Sequence, residues 1–121
     1  MYRVCVKDSF SSAHFLRNYK GKCEKVHGHN WKVSVNVASP GLKNGLVLDF
    51  TDLKKTLKKI TKLLDHGFLN EMEYFRKNNP TSENIAKYIF DSLQKALPAR
   101  VRLEEVRVAE TENNIASYSA E

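Results

Sequence analysis

Apolar and polar positions alternate at the start of the chain. In MYRVCVKDSF, Val4, Val6 and Phe10 share one parity, which predicts a β-strand with one buried face. His14 shares that parity provided no bulge intervenes. HGHNWKVSVNV, residues 27–37, alternates more cleanly. His27, His29, Trp31, Val33, Val35 and Val37 fall on one face, and Asn30, Lys32, Ser34 and Asn36 on the other. SPGLKNG is turn chemistry. From about Asp49 to Leu64 the apolar steps lengthen to three and four: Phe50, Leu53, Leu57, Ile60, Leu64. That spacing predicts an amphipathic helix, with Asp49 or Thr51 as its cap. KNNPTSEN reads as a loop into a second helix, capped by Thr81 or Ser82, striped by Ile85, Ile89, Leu93 and Leu97, and stopped by Pro98. VRLEEVRVAETE predicts a last strand with Val106 and Val108 inward. Whether Leu103 to Arg107 belongs to a longer strand or to half of a hairpin stays open. The order strand, strand, helix, helix, strand argues an α+β fold on an antiparallel sheet.

Length makes this one domain over residues 1–121, large enough for a core without disulfides. No apolar run approaches membrane-spanning length, so no membrane association is expected. The opening residues enter strand pattern at once, which predicts no signal peptide. With two cysteines and no such signal, the expectation is a cytoplasmic protein with reduced thiols. The net charge of +6 admits nucleic acid or an anionic small substrate such as a phosphate ester. Many of the lysines lie in TDLKKTLKKITKLL, where a solvated helix face accounts for them. There is no repeat, linker or low-complexity segment.

The chemistry concentrates in a few residues. His27 and His29 lie two apart on a strand, so they face the same way about 7 Å apart. His14, on another strand, offers a third imidazole. Three neutral imidazoles suit Zn²⁺ and leave a tetrahedral position open. From the spacing alone, independent packing of each histidine stays open, as does a closed Cys₂His₂ site from Cys5, Cys23, His27 and His29. Parity weakens the latter, because Cys5 points away from Val4 and Val6; a small buried hydrophobe is the simpler reading of Cys5. Cys23 sits in the basic loop NYKGKCEKV, whose lysines favour a thiolate able to act as base or nucleophile; an incidental exposed thiol is the alternative. Asp65 directly before His66 makes either an oriented proton shuttle or an ordinary helix C-terminus ended by Gly67. Glu110 has the inward parity of Val106 and Val108, and a carboxylate there is costly unless it binds something.

Taken jointly and in order, FSSAHFL, the Cys-x-x-x-His-Gly-His of Cys23, His27 and His29, LDHGFLN, NPTSEN and VRVAET resemble the 6-pyruvoyl-tetrahydropterin synthase family over nearly the whole chain. The likeness is greatest to its bacterial branch, which makes 6-carboxy-5,6,7,8-tetrahydropterin for queuosine (7-deazaguanine) biosynthesis. The resemblance implies the tunnelling fold, a four-stranded antiparallel sheet with two helices on one face. It also implies trimers that close their sheets into a barrel, stacked as a homo-hexamer with active sites between subunits. It makes His14, His27 and His29 the Zn²⁺ ligands, Cys23 the catalytic thiol, Asp65 and His66 the catalytic pair, and Glu110 the pterin anchor. Some relatives with other activities carry Glu in place of the motif Cys; here Cys23 is present, with Glu24 beside it.

The implied reaction is a lyase conversion of 7,8-dihydroneopterin triphosphate to the 6-carboxy product, acetaldehyde and triphosphate. Zinc would acidify the side-chain hydroxyls, Cys23 and His66 would move protons, and Glu110 would take the pterin edge as a bidentate pair. Arg17, Lys20, Lys22 and Lys25 are candidates to guide the triphosphate, or simply a solvated basic loop. One rival is 6-pyruvoyl-tetrahydropterin formation on the way to biopterin, served by identical residues. A more distant rival, a basic zinc-stabilised nucleic-acid module, gives no reason for Glu110 or for the Asp65–His66 pair, so no nucleic-acid partner is expected.

Overall fold

A computed structural model describes residues 1–22 and 24–120. Strand β1, Tyr2–His14, and strand β2, His27–Ser39, pair antiparallel along their whole length, from Tyr2↔Ser39 to His14↔His27. No bulge interrupts this ladder, so His14 does share the face of Val6 and Phe10. Helix α1, Phe50–Leu64, is followed by a two-residue strand β3, Gly67–Phe68, and a 3-10 turn, Leu69–Glu71. Helices α2, Glu73–Lys77, and α3, Ser82–Gln94, lead to strands β4, Arg102–Thr111, and β5, Asn114–Tyr118. The sheet order is β3-β1-β2-β4-β5, with the four long strands antiparallel and β3 parallel to β1 at Ser12 and Ala13. The class is α+β as expected, with β3 and the short α2 added to the four strands and two helices that the family resemblance implied.

Asp49 caps α1 through its carboxylate, which accepts the Thr51 N–H at 2.8 Å. Leu53, Leu57, Ile60 and Leu64 bury against the sheet. Each such side chain contributes about 1.5–3 kcal/mol through burial. Phe50, expected in that stripe, is instead 55% exposed at the first residue of the helix. Thr81, one of the two expected caps, starts α3 by accepting the Asn84 N–H at 3.1 Å. Ile85, Ile89 and Leu93 fill the core; Leu97 lies past the helix end but still packs on it. Asn44 and Gly45, at φ 54° and 78°, form the two-residue turn between the bridged Lys43 and Leu46.

Two bulges on β4 explain what alternation did not show. Asn36 pairs with Glu105 but Val37 with Leu103, so Glu104 is an extra residue. The bulge brings Leu103 and Val106 to the same buried face although their parities differ. Ala109 pairs with Ile115 and Thr111 with Asn114, so Glu110 is extra as well. The stretch in question therefore belongs to one long strand that then turns back into β5, a hairpin partner that the sequence pattern did not announce.

Cys5 does face away from Val4 and Val6, but the expectation that it is buried is overturned: it is exposed. Among the described residues no helix covers that side of the sheet, because α1 and α3 both pack on the other face.

Candidate active site

The β1–β2 register decides the geometry of the histidines. His14 and His27 are direct cross-strand partners, and Ser12 faces His29. The ring centroids lie 4.7 Å apart for His14–His27, 4.9 Å for His27–His29 and 5.5 Å for His14–His29. Trp31, fully buried, meets both His14 and His29 edge-on at 4.9 and 5.4 Å. It forms an apolar floor beneath the cluster. One ligating atom from each of His14, His27, His29 and Glu110 lies within 4.8 Å of the others.

The rings are oriented by main-chain carbonyls. His14 Nδ1 is 2.8 Å from the Pro80 carbonyl, and His27 Nδ1 is 2.9 Å from that of Lys25. A carbonyl only accepts, so each Nδ1 carries the proton and Nε2 keeps its lone pair. His14 Nε2 is buried with no partner, and a buried orphan of this kind asks for a ligand. Burial pushes the His14 pKa down, against the Pro80 carbonyl, which favours the charged form. The neutral ring is the form that binds a metal.

His29 Nε2 lies 3.0 Å from Glu110 Oε1, but the pair is not aligned as a hydrogen bond and Nε2 remains without a true partner. Glu110 Oε2 accepts weakly from the Ser82 hydroxyl at 3.4 Å. The bulge at Glu110 thus delivers a carboxylate to the imidazole cluster. Three imidazoles and one carboxylate, with lone pairs facing inward, fit a divalent cation of the zinc type. Cys5 is on the other face of the sheet and takes no part, which removes the Cys₂His₂ alternative that needed it.

Asp65 and His66 stand elsewhere, on the outer edge of β1. Asp65 Oδ1 accepts the Ser11 N–H at 2.7 Å, and Oδ2 pairs with His66 Nδ1 at 2.8 Å. The Ser11 N–H first, and then the His66 ring, hold the Asp65 carboxyl below its ordinary range. The His66 N–H returns to the Ser11 carbonyl at 2.6 Å, and its φ of 53° is left-handed. A non-glycine residue in that region is strained by about 1–2 kcal/mol and persists only where its surroundings hold it. The His66 side chain is 85% exposed, so the ring projects from the sheet edge, and it is not part of the imidazole cluster.

Cys23, the expected thiol, lies outside the described residues. Two bonds tie Glu24, the next residue, back to Leu16: Leu16 accepts the Glu24 N–H and donates its own N–H to the Glu24 carboxylate, each at 3.0 Å. Of the candidate phosphate guides, Arg17 donates its guanidinium to the Phe75 carbonyl, and Lys20 lies 5.3 Å over the Tyr19 ring. Lys22 and Lys25 are exposed. Sequence reasoning missed Pro80, Ser11 and Ser82. Each acts through a backbone group or a small hydroxyl brought in by the fold, which no local pattern announces.

Comparison with known proteins finds relatives over nearly the whole chain. The family described as 6-pyruvoyl tetrahydropterin synthase matches residues 3–121. An Archaeoglobus fulgidus protein provisionally named 6-carboxy-5,6,7,8-tetrahydropterin synthase is 44% identical over 91% of this chain and 89% of its own length. The Homo sapiens 6-pyruvoyl tetrahydrobiopterin synthase is 42% identical over 98% of this chain and 92% of its own. The structure of Caenorhabditis elegans 6-pyruvoyl tetrahydropterin synthase superposes with a TM-score of 0.81 at 30% identity, covering 100% of this chain and 98% of that one. With its sheet, its helices and its histidine cluster accounted for, the chain belongs to the 6-pyruvoyl tetrahydropterin synthase family, lyases of pterin biosynthesis that share the tunnelling fold.

Proposed function

We propose that the protein is a zinc-dependent 6-carboxy-5,6,7,8-tetrahydropterin synthase. It would convert 7,8-dihydroneopterin triphosphate, with one water, to the 6-carboxy pterin, acetaldehyde and triphosphate, in cytoplasmic queuosine biosynthesis. The observation that carries the reading is the convergence of His14, His27 and His29, two of them with Nδ1 tied back to carbonyls. These three would hold Zn²⁺. When bound, the ion acts as a Lewis acid that makes the substrate's side-chain hydroxyls and neighbouring C–H bonds more acidic.

The remaining roles fall to the chain's own groups. Cys23, as thiolate, would shuttle protons between side-chain and ring carbons. His66, oriented by the Asp65 carboxylate, would be the acid or base on the opposite face of the substrate. Its exposure on an open sheet edge suits a residue that completes a site together with a neighbouring copy. The assembly proposed is therefore a homo-hexamer, two stacked trimers whose sheets close into a barrel and pair their edges. Glu110 would accept the pterin's amine and ring N–H as a bidentate pair, fixing the ring. The 3.0 Å approach of Glu110 to His29 favours a second role for this carboxylate, as a fourth cation ligand. A Glu110→Gln variant separates the two. Weaker substrate binding with unchanged zinc content supports the anchor, and lost zinc supports the ligand.

The similarity to the Homo sapiens 6-pyruvoyl tetrahydrobiopterin synthase keeps 6-pyruvoyl-tetrahydropterin formation as the second reading. Product analysis decides between them. Zinc-loaded protein is incubated with 7,8-dihydroneopterin triphosphate and the products are identified by mass spectrometry. Stoichiometric acetaldehyde and a carboxylated tetrahydropterin support the first reading. A pterin that keeps its three-carbon side chain refutes it.

A further inference from the structure

The turn between α2 and α3 is built more rigidly than a connector needs. The Thr81 N–H bonds back to the Asn79 carbonyl at 2.7 Å, closing a three-residue turn centred on Pro80. The Asn84 side-chain amide donates to that same Asn79 carbonyl at 2.8 Å. The Asn79 side chain grips both sides of Arg17: its Oδ1 accepts the Arg17 N–H at 2.8 Å and its Nδ2 donates to the Arg17 carbonyl at 2.9 Å. Its amide thus stands in for a strand partner three residues beyond His14. Pro80 is buried, has no N–H and has a ring-locked φ. The turn therefore presents one carbonyl, that of Pro80, to His14 Nδ1 at 2.8 Å.

We propose that Asn79 is a positioning residue for the cation site: by tying the Pro80 turn to Arg17 it fixes the carbonyl that selects the His14 tautomer. The proposal rests on the reading of His14 as a zinc ligand and extends it to a residue that touches neither metal nor substrate. Outer hydrogen bonds that hold a ligating imidazole typically matter by about 10–100-fold in metal affinity. Asn70 provides an internal comparison. Its amide grips Phe15 in the same way, with bonds of 2.9 and 3.0 Å, but it has no link to the Pro80 turn.

The test compares Asn79→Ala, Asn84→Ala and Asn70→Ala with the parent chain. Zinc affinity is measured by chelator competition, and the His14 tautomer is read by ¹⁵N NMR of the metal-free protein. Asn79→Ala is expected to weaken zinc binding about 10–100-fold and to turn a single Nδ1–H tautomer into a mixture. Asn84→Ala shifts both readouts in the same direction by less, and it carries the test if Asn79→Ala does not fold. Asn70→Ala leaves both unchanged. Equal zinc loss in the Asn70 and Asn79 variants, or an unaltered His14 tautomer in the Asn79 and Asn84 variants, overturns the proposal. The tautomer readout holds even if the parent chain binds no zinc, so a failure of the metal reading is told apart from a failure of this one.

Discussion

His14 shows how one residue's surroundings define its chemistry. Burial holds its ring neutral, the Pro80 carbonyl fixes its proton on Nδ1, and Nε2 is left facing His27 and His29. The histidine trio was legible in the sequence because strand parity predicts which residues share a face. The Pro80 contact was not, because a main-chain carbonyl has no residue signature. Two predictions belong at this scale. Cys23→Ala retains zinc and pterin binding and loses turnover by at least about 100-fold, the scale of a general base; steady-state rates beside zinc content check it, and undiminished turnover removes Cys23 from the mechanism. Asp65→Asn keeps a partner for the Ser11 N–H but replaces the carboxylate that orients the His66 ring through Nδ1. Its kcat falls by about 100-fold or more with little change in melting temperature. A normal kcat would make the pair structural.

Strand β4 shows why elements were less legible than residues. Alternation works only while each residue has one partner. The extra residues Glu104 and Glu110 break that count, and pairing across strands sets bulges rather than local pattern. The inward face of Glu110 was still readable, because Val106, Val108 and Glu110 share parity up to the bulge. Strand β5 was hidden because NIASY is short and mostly unburied, with no strong turn signal before it. Between β1 and α1, Asp8 occupies a core-side position that alternation would give to an apolar residue. Thr61 and Lys58 donate to its two oxygens at 2.7 Å each. Burial raises its pKa, but the bonds from Lys58, Thr61 and Ser9 outweigh that and hold it below the ordinary value. A lowered carboxyl pKa stabilises the fold above the unfolded pKa, and that contribution is lost as pH falls through the folded value. Asp8→Asn should therefore be less stable than the parent by about 1 kcal/mol near pH 6. In denaturant titrations the gap should close below about pH 4. A gap independent of pH contradicts the charged role of Asp8.

On the scale of the molecule, one sheet face is covered by helices and the other is open, with Cys5 exposed on it. Among the described residues, both long edges, the N-terminal half of β1 and β5, have no strand partner. Exposed edges invite pairing with further copies. Sedimentation should therefore give a hexamer that dissociates through trimers, and a monomer at micromolar concentration would contradict the shared site. The fold class followed from element order, whereas the proposed assembly rests on family resemblance, because a polar alternating face looks the same whether it meets water or another subunit. The central claim, that three imidazoles meet at one zinc ion, is tested most directly by X-ray absorption of the zinc-loaded protein. The account predicts one zinc per chain, with three nitrogen ligands completed by oxygen, and loss of that zinc in His27→Ala. A sulfur ligand, or one zinc per chain retained in His27→Ala, would contradict it.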